Sequence, residues 1–433
     1  MSPSTRASLR AAIGPGLLMA GAAVGVSHLV QATRGGAEYG LLLIPIVLLA
    51  CLFKYPFLEF GPRYAAATGH HLLTGYHRLG NWALGLYIAV TVGTLFAIQA
   101  VVTLTTAGLV TLVFDLDLSV TLVSALVLAA CITFLMIGAY RGLDLGMKII
   151  MAALSVSTVA AVALAFREAP DLATLSGAQE WSNLWTLAGF AFILALLGWM
   201  PIPLDVAAWH SIWTQERARQ TGHAPTVREA IFDFRLGYLG AVVIAVAFML
   251  LGAVLMYGSG IGFAAGAAAF SAQLVDLYAQ SLGEWSRTLI AVAALTTMFS
   301  TTLAVTDAYP RVIVAIIRTL REDGHAPQTM DPSRKGERGL DWWGYRIALL
   351  AVASGALLLI SQAGEHFTRL VDIATLLSFL SAPILAWITF KVVMSPDMPE
   401  AARPGRGLRG LAWAGIAFSL IFSLLYILWR LFG

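Results

Sequence analysis

Apolar runs of about twenty residues recur from one end of this chain to the other, each long enough to cross the hydrocarbon of a bilayer as a helix. In hydrocarbon every backbone N–H and C=O must be satisfied by the chain itself, so helices are what such runs form. Eleven segments stand out: 13–33, 39–62, 82–113, 119–139, 147–166, 186–213, 236–257, 286–309, 346–363, 368–391 and 410–430. A soluble domain carries roughly 25% charged residues. This chain carries 12%, with 59% hydrophobic residues. The pattern predicts an all-α polytopic membrane protein whose first partner is the lipid bilayer.

Lysine and arginine set the expected orientation. With the N-terminus in the cytoplasm, twenty-one of the 27 fall on cytoplasmic segments, five fall outside, and Lys54 falls within a span. This bias predicts a cytoplasmic N-terminus and an extracytoplasmic C-terminus in the cell membrane, the inner membrane if the host is a Gram-negative bacterium. The net charge of +3 is too small to imply nucleic acid. Cys51 and Cys131 lie in apolar runs and form no CxxC motif. The N-flank of the first run lacks a small-residue cleavage site, so no cleavable signal is expected. The longest polar cytoplasmic stretch, Arg318 to Trp343, reads as a loop between spans 8 and 9. The outer stretch Gly258 to Ser286 reads as short interfacial helices. No nucleophile–base constellation or cofactor motif is evident, so neither an enzyme nor a bound cofactor is expected.

Two spans look broken. In span 1, Gly21 and Gly25 loosen the helix ahead of Val26, Ser27 and His28. In span 6, Pro201 and Pro203 each remove an N–H and clash with the preceding turn. Span 6 lies five after span 1. Interrupted spans at matching positions of two halves point to the midplane site of a secondary transporter. Plainer readings stand beside this one. Gly21 and Gly25 form a GxxxG packing face, Pro201 and Pro203 mark a kink, and His28 is an interior histidine bonded to a carbonyl.

Ionisable groups at membrane depth are expensive, and each is a functional candidate. Asp205 follows the span 6 break, and His210 lies further along. Lys54 and Glu59 in span 2 read as an ion pair with each other or with neighbours. Asp307 and Arg311, spaced i,i+4 in span 8, read as a gate pair or as helix support. Asp233 and Asp372 read as interfacial. His70, His71 and His77 read as solvated on a cytoplasmic loop.

Several stretches are similar to one family. "GPGLLMAG" (Gly14 to Gly21), "GGAEYG", "ATG" (Ala67 to Gly69), "ALTTMFSTTLAVTDAY" (Ala294 to Tyr309) and "LVDIATLLSFLSAPILAW" (Leu370 to Trp387) resemble the Nramp family of proton-coupled divalent-metal transporters. The likeness runs from about residue 13 to 391. It implies a leucine-transporter-like fold of two inverted five-helix repeats plus an eleventh helix. The expected division is a cytoplasmic N-terminus (1–12), a first repeat (13–166), an extracytoplasmic linker (167–185), a second repeat (186–391), then a linker and the eleventh span (392–433).

The family's signature motifs are exchanged here. A typical span 1 carries Asp-Pro-Gly-Asn, at positions that align with Gly25, Val26, Ser27 and His28. A typical span 6 carries Met-Pro-His-Asn, where this chain keeps Met200 and Pro201 and then has Ile202 and Pro203. The span 10 glutamine aligns with Thr375, and the acidic residues of span 3 have no counterpart. The expected substrate site is Gly25, Ser27, His28, Met200, Pro201, Asp205 and Thr375. Its expected metal ligands are His28, Met200 and Asp205, because imidazole and thioether suit softer transition metals. Glu59, His210, Asp307 and Arg311 are the expected proton path or gate. Three outcomes remain open: a divalent-metal transporter, a transporter of a non-metal solute such as an amino acid or small organic ion, and a non-transporting sensor or partner that lost the site.

Overall fold

The computed structural model describes residues 12–137, 156–167, 172–260, 262–321 and 338–432. Among them every regular element is a helix. Six helices are long and apolar enough to cross a membrane, and the bent pair Pro15–Ala23 with Ser27–Tyr39 makes a seventh. Span 1 is that bent pair. Span 2 is Ile44–Thr68, span 3 Asn81–Phe114 and span 4 Val120–Ile137. The described part of span 5 is Val156–Ala165. Span 6 is divided into Leu187–Trp199 and Val206–Thr221. Span 7 is Val227–Met256, span 8 Arg287–Arg321, span 9 Arg338–Ala363, span 10 Phe367–Val393 and span 11 Arg406–Phe432. The start of the predicted span 5, its neighbours Arg141 and Lys148, the tail before residue 12, and residues 322–337 of the predicted loop lie outside the described residues.

Spans 7 and 8 begin or end beyond their apolar runs because polar residues extend the helices. Thr226 starts span 7 with a capping box: its hydroxyl accepts the Glu229 N–H at 3.3 Å, and the Glu229 carboxylate accepts the Thr226 N–H at 2.8 Å. The predicted outer helical stretch holds the helix Ala267–Leu282 and a short 3-10 turn, Glu284–Ser286; the helix packs against span 3, where a Cβ on Gly108 would lie 2.5 Å from the Ala267 carbonyl.

Inside the bundle, large apolar side chains fill the core, and hydroxyls and amides bond one helix to another. Thr106 of span 3 meets Thr302 of span 8 at 2.7 Å, and the Gln99 amide donates to Thr306 at 3.0 Å. Leu52, Leu126, Leu239, Leu289, Leu350 and Leu428 are exposed on the outside of their helices, where lipid would cover them.

Candidate functional site

The first half of span 1 ends at Ala23, and Val24 leaves the helix with ψ 62°. The chain resumes as a π-helical turn, Ser27–Ala32, that runs into Thr33–Tyr39, bent by 43° from the first half. The Gly25 N–H turns back to Ala23 at 2.7 Å, and the Gly21 carbonyl is taken instead by the Thr301 hydroxyl of span 8 at 2.9 Å. A Cβ on Gly25 would lie 2.7 Å from the Thr301 methyl, so glycine is what allows this approach. The break is therefore sealed by span 8, as freed backbone in hydrocarbon demands.

His28 is fully buried. Its Nε2 lies 2.9 Å from the Ala241 carbonyl of span 7, which only accepts, so Nε2 carries a proton. Nδ1 lies 2.7 Å from the Ser27 hydroxyl, which also reaches the Ala23 carbonyl at 2.6 Å. Both ring nitrogens are thus engaged within the protein, and the ring ties the bend of span 1 to span 7.

The break in span 6 is wider. Leu187–Trp199 ends at Met200, which has extended backbone (φ −93°, ψ 120°). Met200, Pro201 and Ile202 are buried before the helix restarts at Val206. Trp199 anchors the end of the first half by donating to Ser378 of span 10 at 2.8 Å. Asp205 stands at the N-terminal end of the second half, 4% exposed, and its Oδ2 has no hydrogen-bond partner among the described residues.

Lys54 is the largest departure from the expected pairing. It reaches from span 2 into this break, where its Nζ donates to the carbonyls of Leu197 at 2.7 Å, Gly198 at 2.7 Å and Ile202 at 3.2 Å. Glu59 is held instead by Arg63, with Nη2 at 2.5 Å and Nε at 3.0 Å, and by the Tyr55 hydroxyl at 2.5 Å. Glu59 lies five positions beyond Lys54, on another side of the helix, which is why the two do not meet.

At the far end of span 1, Arg34 grips Asp372 of span 10 with Nη1 and Nη2, at 2.7 and 3.2 Å. Gln31 donates to Asp372 and to Thr375, both at 3.1 Å, and accepts from Arg34 at 3.1 Å. Thr375 is therefore brought to the second half of span 1. Asp372, read as interfacial, lies in this tie between spans 1 and 10. Gln31 and Arg34 were not among the expected site residues, although a glutamine inside an apolar run was a visible signal.

Asp307 and Arg311 pair at 2.6 Å along span 8, and the Tyr345 hydroxyl of span 9 donates to Asp307 at 2.6 Å, so the pair joins those two helices. His210 is buried against Phe234, and neither ring nitrogen has a hydrogen-bond partner among the described residues. Asp233 is buried rather than interfacial: its carboxylate accepts the N–H groups of Gly14 at 3.0 Å and Gly16 at 2.6 Å, capping the start of span 1. Among the described residues no group of three or more His, Cys, Asp or Glu side chains is placed to hold a metal ion.

Of the three loop histidines, His70 is buried rather than solvated, and His71 and His77 are part-buried. His70 contacts Arg78 at 3.2 Å, and His71 caps the helix Leu72–Leu79 by accepting the Thr74 N–H at 3.3 Å. Burial pushes the His71 imidazole down to about 3. The folded chain then holds fewer protons than the unfolded one below about pH 6.5, so His71 costs stability as pH falls. Thermal unfolding of His71→Asn, which keeps a capping acceptor but cannot titrate, is expected to fall less than wild type between about pH 7 and about pH 5. Parallel curves would contradict this.

Known proteins resemble the chain along nearly its whole length. The profile of the Nramp family, described as natural resistance-associated macrophage protein-like, matches residues 16–429. An uncharacterized protein of Pasteurella multocida is 33% identical over 425 residues, covering 98% of this chain and 93% of that protein. A manganese transporter of Eremococcus coleocola, solved with an aromatic bis-isothiourea substituted compound, superposes with a TM-score of 0.73 at 15% identity, over 99% of this chain and 88% of the other. MhsT, solved in complex with L-phenylalanine, superposes with a TM-score of 0.62 at 15% identity, over 95% of this chain and 97% of its own.

Proposed function

The chain belongs to the Nramp family, natural resistance-associated macrophage protein-like, and from that membership we propose that it is a secondary-active transporter of a divalent metal ion in the class of manganese. It is a multi-pass membrane protein of the leucine-transporter-like fold. The cargo site of this reading lies between the breaks of spans 1 and 6. The observation that carries it is the carboxylate of Asp205: a buried oxygen with no hydrogen-bond partner among the described residues, at the head of a half-helix in a break that packs beside span 1. Asp205 and the Met200 thioether are the ligands, and Gly25, Ser27, Pro201 and Thr375 shape the walls. His28 acts as a positioning residue that holds the bend. The first half of span 1 and the second half of span 6 open to the cytoplasm, and the Arg34–Asp372 tie closes the other face. His210, whose ring nitrogens have no hydrogen-bond partner among the described residues, is the proton-path candidate; Glu59, Asp307 and Arg311 are held by neighbours.

Calorimetry of manganese binding to the purified chain tests this. Saturable binding is expected in wild type, with a loss of at least about tenfold in Asp205→Asn, because a dication in low dielectric needs an anionic ligand. A specific observation favours a second reading, in which the cargo is an organic solute: both nitrogens of His28 are already bonded, and no cluster of three classical ligands is present among the described residues. Absence of binding for manganese, zinc and magnesium alike would discard the metal and leave that second reading.

A further inference from the structure

An ammonium group has three protons to donate, and Lys54 places one on each of three backbone carbonyls. Those carbonyls share an origin. Leu197 and Gly198 lie in the last turn of Leu187–Trp199, where C=O groups lack the N–H four residues on; Leu197 takes only a long bond from the Met200 N–H, at 3.4 Å. Ile202 lies in the break itself. The last turn also carries the negative end of the helix dipole. A half-helix end and unwound carbonyls turned toward one point are the usual makings of a cation site inside a membrane. Here the cation is part of the chain.

Nothing else accounts for the lysine. It is buried to 7% exposure in the middle of span 2, yet forms no ion pair among the described residues. The nearest acid along its helix, Glu59, is spent on Arg63. Asp205 lies within electrostatic reach but is not bonded to it. The walls along the lysine stem are nearly all apolar, formed by Phe53, Phe57, Leu204, Phe379 and Phe418, so they give the ammonium no better berth. Burying an unpaired charge is costly, and three charge-assisted hydrogen bonds offset that cost.

We propose that the carbonyls of Leu197, Gly198 and Ile202 form a cation site whose resident occupant is the Lys54 ammonium, and that Lys54 sets the site's specificity by keeping free cations off those three oxygens. Insofar as it concerns cargo, this rests on the transport reading above. In wild type a metal ion in the span 6 break must find its ligands without these carbonyls and against the nearby positive charge. Removing the ammonium leaves three oxygens and the Asp205 carboxylate, a set of hard donors with net negative charge. Such a set suits a small monovalent or divalent cation.

The test is calorimetric titration of the purified full-length chain with sodium, potassium, ammonium and manganese ions, comparing wild type, Lys54→Met and Lys54→Arg. Methionine keeps the length of the stem without its charge. Lys54→Met is expected to bind at least one of these cations at least about tenfold more tightly than wild type, and Lys54→Arg to show no such gain. Recovery of folded Lys54→Met only in the presence of one of these cations also supports the proposal. A folded Lys54→Met that binds all four as wild type does overturns it, as does a variant that none of them restores. The transport reading fails separately: wild type that binds no divalent metal, beside a Lys54→Met that gains sodium, removes the metal cargo and keeps the resident ammonium.

Discussion

Arg34→Met is expected to open the face that spans 1 and 10 now close. The guanidinium grips Asp372 with two bonds, supports Gln31 at 3.1 Å, and lies over the Phe192 ring at 5.1 Å. One side chain thus ties the second half of span 1 to span 10 and to the first half of span 6. Asp372 is about a third exposed (35%), so water takes over much of its solvation once the arginine is gone. The loss then falls between that of a surface pair and that of a buried one, about 1–2 kcal/mol, or on the order of tenfold in an open-to-closed equilibrium. The readout is Met200→Cys in a chain whose buried Cys51 and Cys131 are replaced by alanine. A membrane-impermeant maleimide added to intact cells is expected to label that thiol about tenfold faster when Arg34 is methionine. Equal rates would mean that this network holds helices together without gating.

The architecture was legible in the sequence because it depends on patterns within each segment. Apolar length located the spans, and Gly25, Pro201 and Pro203 located both breaks, since each acts on its own backbone. Partner choice was hidden. Lys54 had a carboxylate five residues away in sequence, yet its partners are carbonyls more than 140 positions on, turned toward it by the span 6 break. Asp233 read as interfacial because it sits near the start of an apolar run, and only the crossing of spans 1 and 7 brings Gly14 and Gly16 onto it. Arg34 and Asp372 lie 338 residues apart. Such pairs are set by how helices cross, which hydropathy does not encode. His28 shows the limit from the other side: the sequence offered both a ligand and a satisfied interior ring, and the choice turned on a carbonyl of span 7.

The GxxxG reading of span 1 named Gly21 and Gly25, which meet Thr301 of span 8, whereas the packing on span 7 at both halves of span 1 uses other glycines. A Cβ on Gly16 would lie 2.0 Å from the Asp233 carbonyl, and one on Gly237 would lie 2.0 Å from the Gly16 carbonyl. Beyond the break, a Cβ on Gly36 would lie 1.9 Å from the Met249 carbonyl and one on Gly252 would lie 2.1 Å from the Thr33 carbonyl. Every one of these neighbours is backbone, so no rotamer change relieves the clash and the helices themselves must separate. Gly237→Ala and Gly252→Ala are each expected to cost about 3 kcal/mol, at the upper end of overpacking penalties, and to lower Tm in detergent. Gly240 lies on the same helix between them with nothing near its missing Cβ, so Gly240→Ala should keep the wild-type Tm or exceed it slightly, given alanine's better helix propensity. The two clashes also separate by function. Gly237 holds the half of span 1 before the break, and Gly252 holds the half after it, beside Arg34. A loosened Gly252→Ala should therefore speed maleimide labelling from outside, as Arg34→Met does, while Gly237→Ala should not. Wild-type Tm in both alanine variants would show that spans 1 and 7 do not approach this closely, and equal labelling in both would show that span 1 moves as one piece.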